Sequence, residues 1–136
     1  MDKKNLIVMI ARDNAGYGAW IENCPGVYGE GNTVQEVKKE LLEGLDLFLE
    51  YNKKENLPEI LRGEYGIKYC FDIPSFLEYY SGVFTKAALE RITGINQKQI
   101  GHYMSGYRNP SKKTIARIDN ALQQLAGELS QVRLAV

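Results

Sequence analysis

Histidine occurs once, cysteine twice and proline four times in 136 residues. Cys24 and Cys70 are far apart and have no local His/Cys partner, which excludes a zinc module and a CxxC redox pair. The one histidine, His102, has neither a cysteine nor a carboxylate at ligand spacing, so neither a metal nor a cofactor is expected. Long apolar runs are missing too. The longest, Leu6 to Ala11, falls well short of the roughly 18 residues that span a bilayer. Asp-Lys-Lys-Asn before it and Arg12 after it include no small-residue cleavage site. The sequence therefore predicts a cytoplasmic protein with free thiols and no membrane partner.

The composition that remains is that of a folded protein. The hydrophobic share of 44% and charged share of 25% disfavour disorder and fibrous architectures. The length suits one ordinary domain or two small ones, and the charge distribution favours two. Although the net charge is zero, Met1 to Pro74 holds 13 acidic residues against nine basic, a net −4. Ser75 to Val136 holds four against eight, a net +4. A split of this sign points to one half that meets a polyanion and one that does not.

The first half, residues 1–74, alternates like a small sheet with one helix. Leu6 to Ala11 is a continuous apolar run suited to a central strand. After the turn signal Asp13-Asn14-Ala15-Gly16, Tyr17, Ala19 and Ile21 alternate with Gly18, Trp20 and Glu22 as a returning strand. Cys24-Pro25-Gly26 breaks it, and Val27 to Glu30 allows one more short strand. Thr33 and Glu36 form a capping box, with the Glu36 carboxylate reaching back to the Thr33 amide. The helix it opens runs to about Tyr51, with Val34, Val37, Leu41, Leu42, Leu45, Phe48 and Leu49 on one face. Beyond a polar connector, Ile67, Tyr69, Phe71 and Ile73 alternate as a last strand closed by Pro74. Trp20 lies opposite Tyr17, Ala19 and Ile21, either buried by the helix or exposed for a partner. Asp13 and Glu30 fall at strand ends and Asp72 points away from its strand's apolar face. No three or four carboxylates converge as two-metal nucleic-acid hydrolysis requires, so no catalytic residue is expected.

The stretch Tyr17-Gly18-Ala19-Trp20-Ile21-Glu22, then Pro25-Gly26-Val27-Tyr28-Gly29-Glu30-Gly31, then Thr33-Val34 and the helix resembles the N-terminal domain of HicB-type antitoxins. Its family pattern is a strand, "pxlPGxxxxGxT" and a helix, and the resemblance covers roughly Leu6 to Tyr51. It implies a truncated ribonuclease-H-like fold that neutralises a small basic toxin instead of hydrolysing nucleic acid. Trp20, Glu22, Tyr28 and Glu30 are the candidate partner-binding residues.

The second half, residues 75–136, reads as all helix. Ser75 to Tyr80 is a short helix opened by Pro74. Thr85 caps a helix over Lys86 to Ile92, and Thr93-Gly94-Ile95 makes a tight turn. Asn96 caps a second helix, Gln97 to Met104, which Gly106 stops. Ser111 caps a long helix bearing Ile115, Ile118, Leu122, Leu125, Leu129 and Val132 at helical spacing. The run resembles the lambda-repressor/Xre-like helix-turn-helix family, matching at Ala88-Leu89, Gly94-Ile95, Ile100, Gly106, Pro110-Ser111, Ile115, Ile118 and Ala121-Leu122. Gly101 departs from the pattern and weakens its helix by about 1 kcal/mol relative to alanine.

The fold class is thus α+β, a small antiparallel sheet with one packed helix, followed by an all-α helix-turn-helix domain. The second helix of such a motif enters the major groove. Lys98, Gln99 and His102 are the expected base readers, since amides pair with adenine and lysine with guanine. Gln97, with the backbone amides at the helix start, is expected to hold a phosphate, and Arg108, Lys112 and Lys113 to clamp the flanking backbone. The partners implied are double-stranded operator DNA, a small basic toxin protein and a second copy of the chain joined through the C-terminal helix. The combined expectation is the antitoxin and autorepressor of a HicAB-type pair. Its alternative is a stand-alone regulator with a ligand-sensing or dimerising first domain, and a third possibility is a ribonuclease-H-like nuclease.

Overall fold

Alternation decides the first strand: Leu6, Val8 and Ile10 are fully buried, while Ile7, Met9 and Ala11 on the other face are only half-buried. This strand, β1 (Lys4–Asp13), pairs antiparallel with β2 (Gly16–Ile21), setting Met9 opposite Trp20 and Ile10 opposite Ala19. β3 (Tyr28–Gly31) continues the antiparallel order on the outer side of β2. The computed structural model describes residues 4–136, and the chain divides into two compact units between Ser75 and Phe76.

α1 (Val34–Glu50) buries Val34, Val37, Leu41 and Leu45 on the Leu6/Val8/Ile10 side of the sheet. Its cap is the expected one at Thr33, whose Oγ accepts from the Glu36 amide at 3.1 Å. The Glu36 carboxylate, however, accepts from Asn32 N–H at 2.8 Å and not from Thr33, reaching one residue further back. Two short 3-10 turns, Lys54–Asn56 and Glu59–Leu61, bury Leu57 and Leu61 on the way to β4 (Tyr65–Phe71).

β4 corrects one expectation. It pairs with β1 in parallel, Leu6 beside Ile67 and Met9 beside Cys70, so the sheet is mixed, in the order β3-β2-β1-β4. A strand that follows a helix crossing one face of the sheet re-enters in the direction of its neighbour, which a hairpin connection cannot achieve. Ile73 and Pro74 do not close this strand. They open α2 (Ile73–Tyr79), where proline's missing N–H is not needed in the first turn.

The glycines of β3 let helix and sheet meet. A Cβ on Gly29 would lie 2.8 Å from the Val37 carbonyl and 3.0 Å from the Leu41 nitrogen, and one on Gly31 would lie 2.8 Å from the Glu36 Cβ. The glycine-rich stretch is therefore a packing surface for α1. The α+β order expected from the sequence stands.

In the second unit α3 (Lys86–Thr93), α4 (Gln97–Ser105) and α5 (Lys112–Ser130) are each capped as the sequence predicts, by Thr85, Asn96 and Ser111. Leu77, Leu89, Thr93, Ile95, Ile100, Tyr103 and Ile118 surround one small core. Ile118 is the only buried residue of α5. Ile115 and Leu129 are 42% and 59% exposed, and Val132 lies beyond the helix end.

Because backbone atoms crowd Gly29, we predict that Gly29→Ala destabilises the chain by about 1–3 kcal/mol. Gly127→Ala, whose Cβ would meet nothing within 4 Å, should stabilise it by about 0.5–1 kcal/mol. Urea unfolding monitored by circular dichroism compares the two, and equal stability of the Gly29 variant contradicts the packing role.

Candidate nucleic-acid interface

Three residues, Gly94 to Asn96, join α3 to α4. Gly94 adopts φ +76, and its amide donates to the Glu90 carbonyl at 2.7 Å. Thr93 closes the inner side: its hydroxyl donates to the Leu89 carbonyl at 2.6 Å and accepts from the Ile95 amide at 3.1 Å. Ile95 drops into the core, and Asn96 Oδ1 accepts from the Gln99 amide at 2.8 Å. The start of α4 is thus presented outward by a turn whose polar groups are satisfied within it.

The predicted readers differ in their surroundings. Gln97 and Lys98 are exposed on the first turn of α4. Gln99 is half-buried, and its Nε2 donates to the hydroxyl of buried Tyr103 at 2.9 Å. That bond fixes the amide plane and leaves Oε1 and the second N–H for a base edge. His102 is half-buried, its ring 4.9 Å from that of Tyr107, and its Nδ1 is buried with no hydrogen-bond partner. Only its other ring nitrogen is placed to meet a ligand.

The phosphate role expected of the Gln97 amide is occupied from within the chain. That N–H donates to Glu90 Oε2 at 2.9 Å. Arg108, whose amide donates to the His102 carbonyl at 3.2 Å, is exposed after the Gly106 stop, and Lys112 and Lys113 are exposed at the start of α5. None of Lys98, Arg108, Lys112 and Lys113 forms an ion pair among the described residues. Their charges are thus available to an anion.

Three residues escape sequence reasoning. The Lys86 ammonium lies 3.4 Å from where a Cβ on Gly101 would be, so the glycine in α4 makes room for a cation from α3. The Arg117 guanidinium lies over Gly94, its Nη2 2.5 Å from a Cβ built there. Glu90 is the third. Gly101, a helix-weakening residue inside a recognition pattern, was the available signal for Lys86. Nothing local signals the other two.

In the first unit, cross-strand pairing sets Tyr28 beside Trp20, Trp20 beside Met9 and Met9 beside Cys70. These four form one row across the sheet face opposite α1. Trp20 is 41% and Tyr28 54% exposed, which decides between the two placements open for Trp20. Alternation puts Glu30 on the face of Tyr28, and Glu22, in the turn after β2, lines one shallow depression with Trp20 and Tyr28. Tyr28 donates to Glu30 Oε1 at 3.0 Å, and this hydrogen bond raises the pKa of the phenol. Asp13 and Glu30 border one depression together with Glu40, while Asp72 is not part of it. Among the described residues no three His, Cys, Asp or Glu side chains group to hold a metal ion.

A helix-turn-helix family model matches residues 84–129, from the approach to α3 almost to the end of α5. The C-terminal part of the chain is a helix-turn-helix domain. No curated protein and no solved structure matches the chain. No helix among the described residues is long and apolar enough to cross a membrane.

Proposed function

We propose that the chain is a transcription regulator, not an enzyme, that reads a specific duplex with the first turns of α4. The observation that carries this is the position of exposed Gln97 and Lys98 and half-buried Gln99 on the first turn of the second helix of a helix-turn-helix domain. Lys98 pairs with guanine and Gln99 with adenine, while His102 offers its free ring nitrogen at the groove edge. Arg108, Lys112 and Lys113 bind phosphates and set the register. Replacing Gln99 with alanine should cost about 1–3 kcal/mol on the preferred duplex and little on random DNA, whereas Arg108→Ala should weaken both alike. Gel-shift titrations on the two DNAs measure this, and a sequence-independent loss for Gln99 contradicts the assignment.

The finer reading is the antitoxin and autorepressor of a HicAB-type pair, in which the first unit masks an mRNA-cleaving toxin. It is supported by one sheet face that exposes Trp20 and Tyr28 beside Glu22 and Glu30, within a half of the chain carrying net −4. A toxin that binds RNA is basic, and an acidic rim around aromatic anchors complements it. The regulator acts as a dimer, because two recognition helices about 34 Å apart read a palindrome that one cannot. Exposed Leu129, with half-buried Leu122 and Leu125, supplies an apolar stripe on α5 for that contact. Purified from its native host at native expression, the protein should scatter light as a dimer carrying a small basic protein. A bare dimer contradicts the antitoxin reading, and a monomer contradicts the dimer as well.

A further inference from the structure

The start of a recognition helix concentrates positive partial charge and free N–H groups, and DNA-binding proteins commonly set a phosphate there. Here two of the first-turn amides are taken by side chains of this chain. Gln99 N–H donates to the Asn96 side chain at 2.8 Å, an ordinary cap, and Gln97 N–H donates to the Glu90 carboxylate at 2.9 Å. Glu90 stands on α3, seven residues earlier, and it bridges the turn twice: its carbonyl accepts from Gly94 N–H at 2.7 Å and its carboxylate from Gln97 N–H. It is one of only four acidic residues in the 62-residue stretch from Ser75 to Val136, against eight basic ones. Its charge thus lies at the end of α4 that reads the duplex, inside the basic half of the chain.

We propose that Glu90 is a specificity-determining residue whose carboxylate fills the anion position at the N-terminus of α4 and so excludes a DNA phosphate from it. A phosphate held there would strengthen binding to every sequence equally, because the backbone carries no base information. Replacing that contact with an internal carboxylate lowers affinity for all DNA and leaves discrimination to the base contacts of Lys98 and Gln99. Specificity is a difference of affinities, and a repulsive element raises it by weakening the wrong complexes. The carboxylate also ties α4 to α3, so Glu90 positions the helix as well as charging its end. The inference rests on the reading of α4 as the DNA-contacting helix.

Glu90→Gln separates charge from tether, because the amide oxygen still accepts from Gln97 N–H while the negative charge is gone. The probes are a duplex selected from a random pool by the unaltered protein and a random-sequence duplex of equal length. On the random duplex Glu90→Gln should bind roughly three- to tenfold tighter at about 0.1 M salt, with the log–log salt slope steeper by about one, the signature of one added phosphate. The ratio between selected and random duplex should fall, with the melting temperature of the free protein unchanged. Glu90→Ala, which removes the acceptor too, should show the same steeper slope and a lower melting temperature. An unchanged slope in both variants overturns the proposal. Gln99→Ala run beside them tests the underlying reading: a selective loss there with no effect at Glu90 rejects the role of Glu90 alone, and no selective loss at Gln99 rejects the reading of α4.

Discussion

The left-handed turn at Gly94 is the constraint on which the exposed start of α4 depends. With φ +76 the backbone leaves the helix at Gly94, and the space a Cβ would need holds the Arg117 guanidinium. A non-glycine residue would meet both a strained backbone and a charged side chain from α5. Because Gly94 turns there, Glu90 can bond on both sides of the turn, Ile95 reaches the core and Asn96 is left in position to cap α4. The exposure of Lys98 and the fixed amide of Gln99 follow from that sequence of contacts.

The first unit is organised by the absence of side chains at another place. Gly29 and Gly31 bring β3 against the backbone of α1, so the helix covers one sheet face closely. Among the described residues of the same unit, none covers the other face to that degree. Tyr28, Trp20, Met9 and Cys70 therefore form a row of exposed and half-buried apolar groups rimmed by Glu22 and Glu30. The two halves thus present surfaces of different chemistry, an aromatic and acidic sheet face in one and unpaired cations around a helix start in the other.

What the sequence makes legible follows from the range of the interactions. The caps at Thr33, Thr85, Asn96 and Ser111 depend on residues three apart, and each side chain caps as read; only the return bond of Glu36 shifts, to Asn32 N–H. The helix-turn-helix was legible because its pattern is compact, with Gly94 and Gly106 at the two places where φ is positive. The side of the sheet on which Trp20 lies follows from alternation. Its exposure does not, since that depends on whether another element covers the face. The parallel pairing of β4 with β1 joins residues some sixty positions apart and leaves no mark on either strand's own pattern. Along α5 helical spacing marks the apolar stripe, of which Ile118 is buried, Leu122 and Leu125 are half-buried and Leu129 is exposed. The contact of Glu90 with Gln97 exists only once the turn is made, and so no spacing rule announces it.

The central claim is that α4 reads DNA while the sheet face of the first unit is reserved for another partner. Amide chemical shifts of the isotopically labelled protein, followed as a duplex selected from a random pool is added, test it most directly. The account predicts that the largest changes fall on Lys98, Gln99, His102 and Arg108, with Trp20, Glu22, Tyr28 and Glu30 unmoved. Changes centred on the Trp20–Tyr28 face, with the first turn of α4 unaffected, would contradict it.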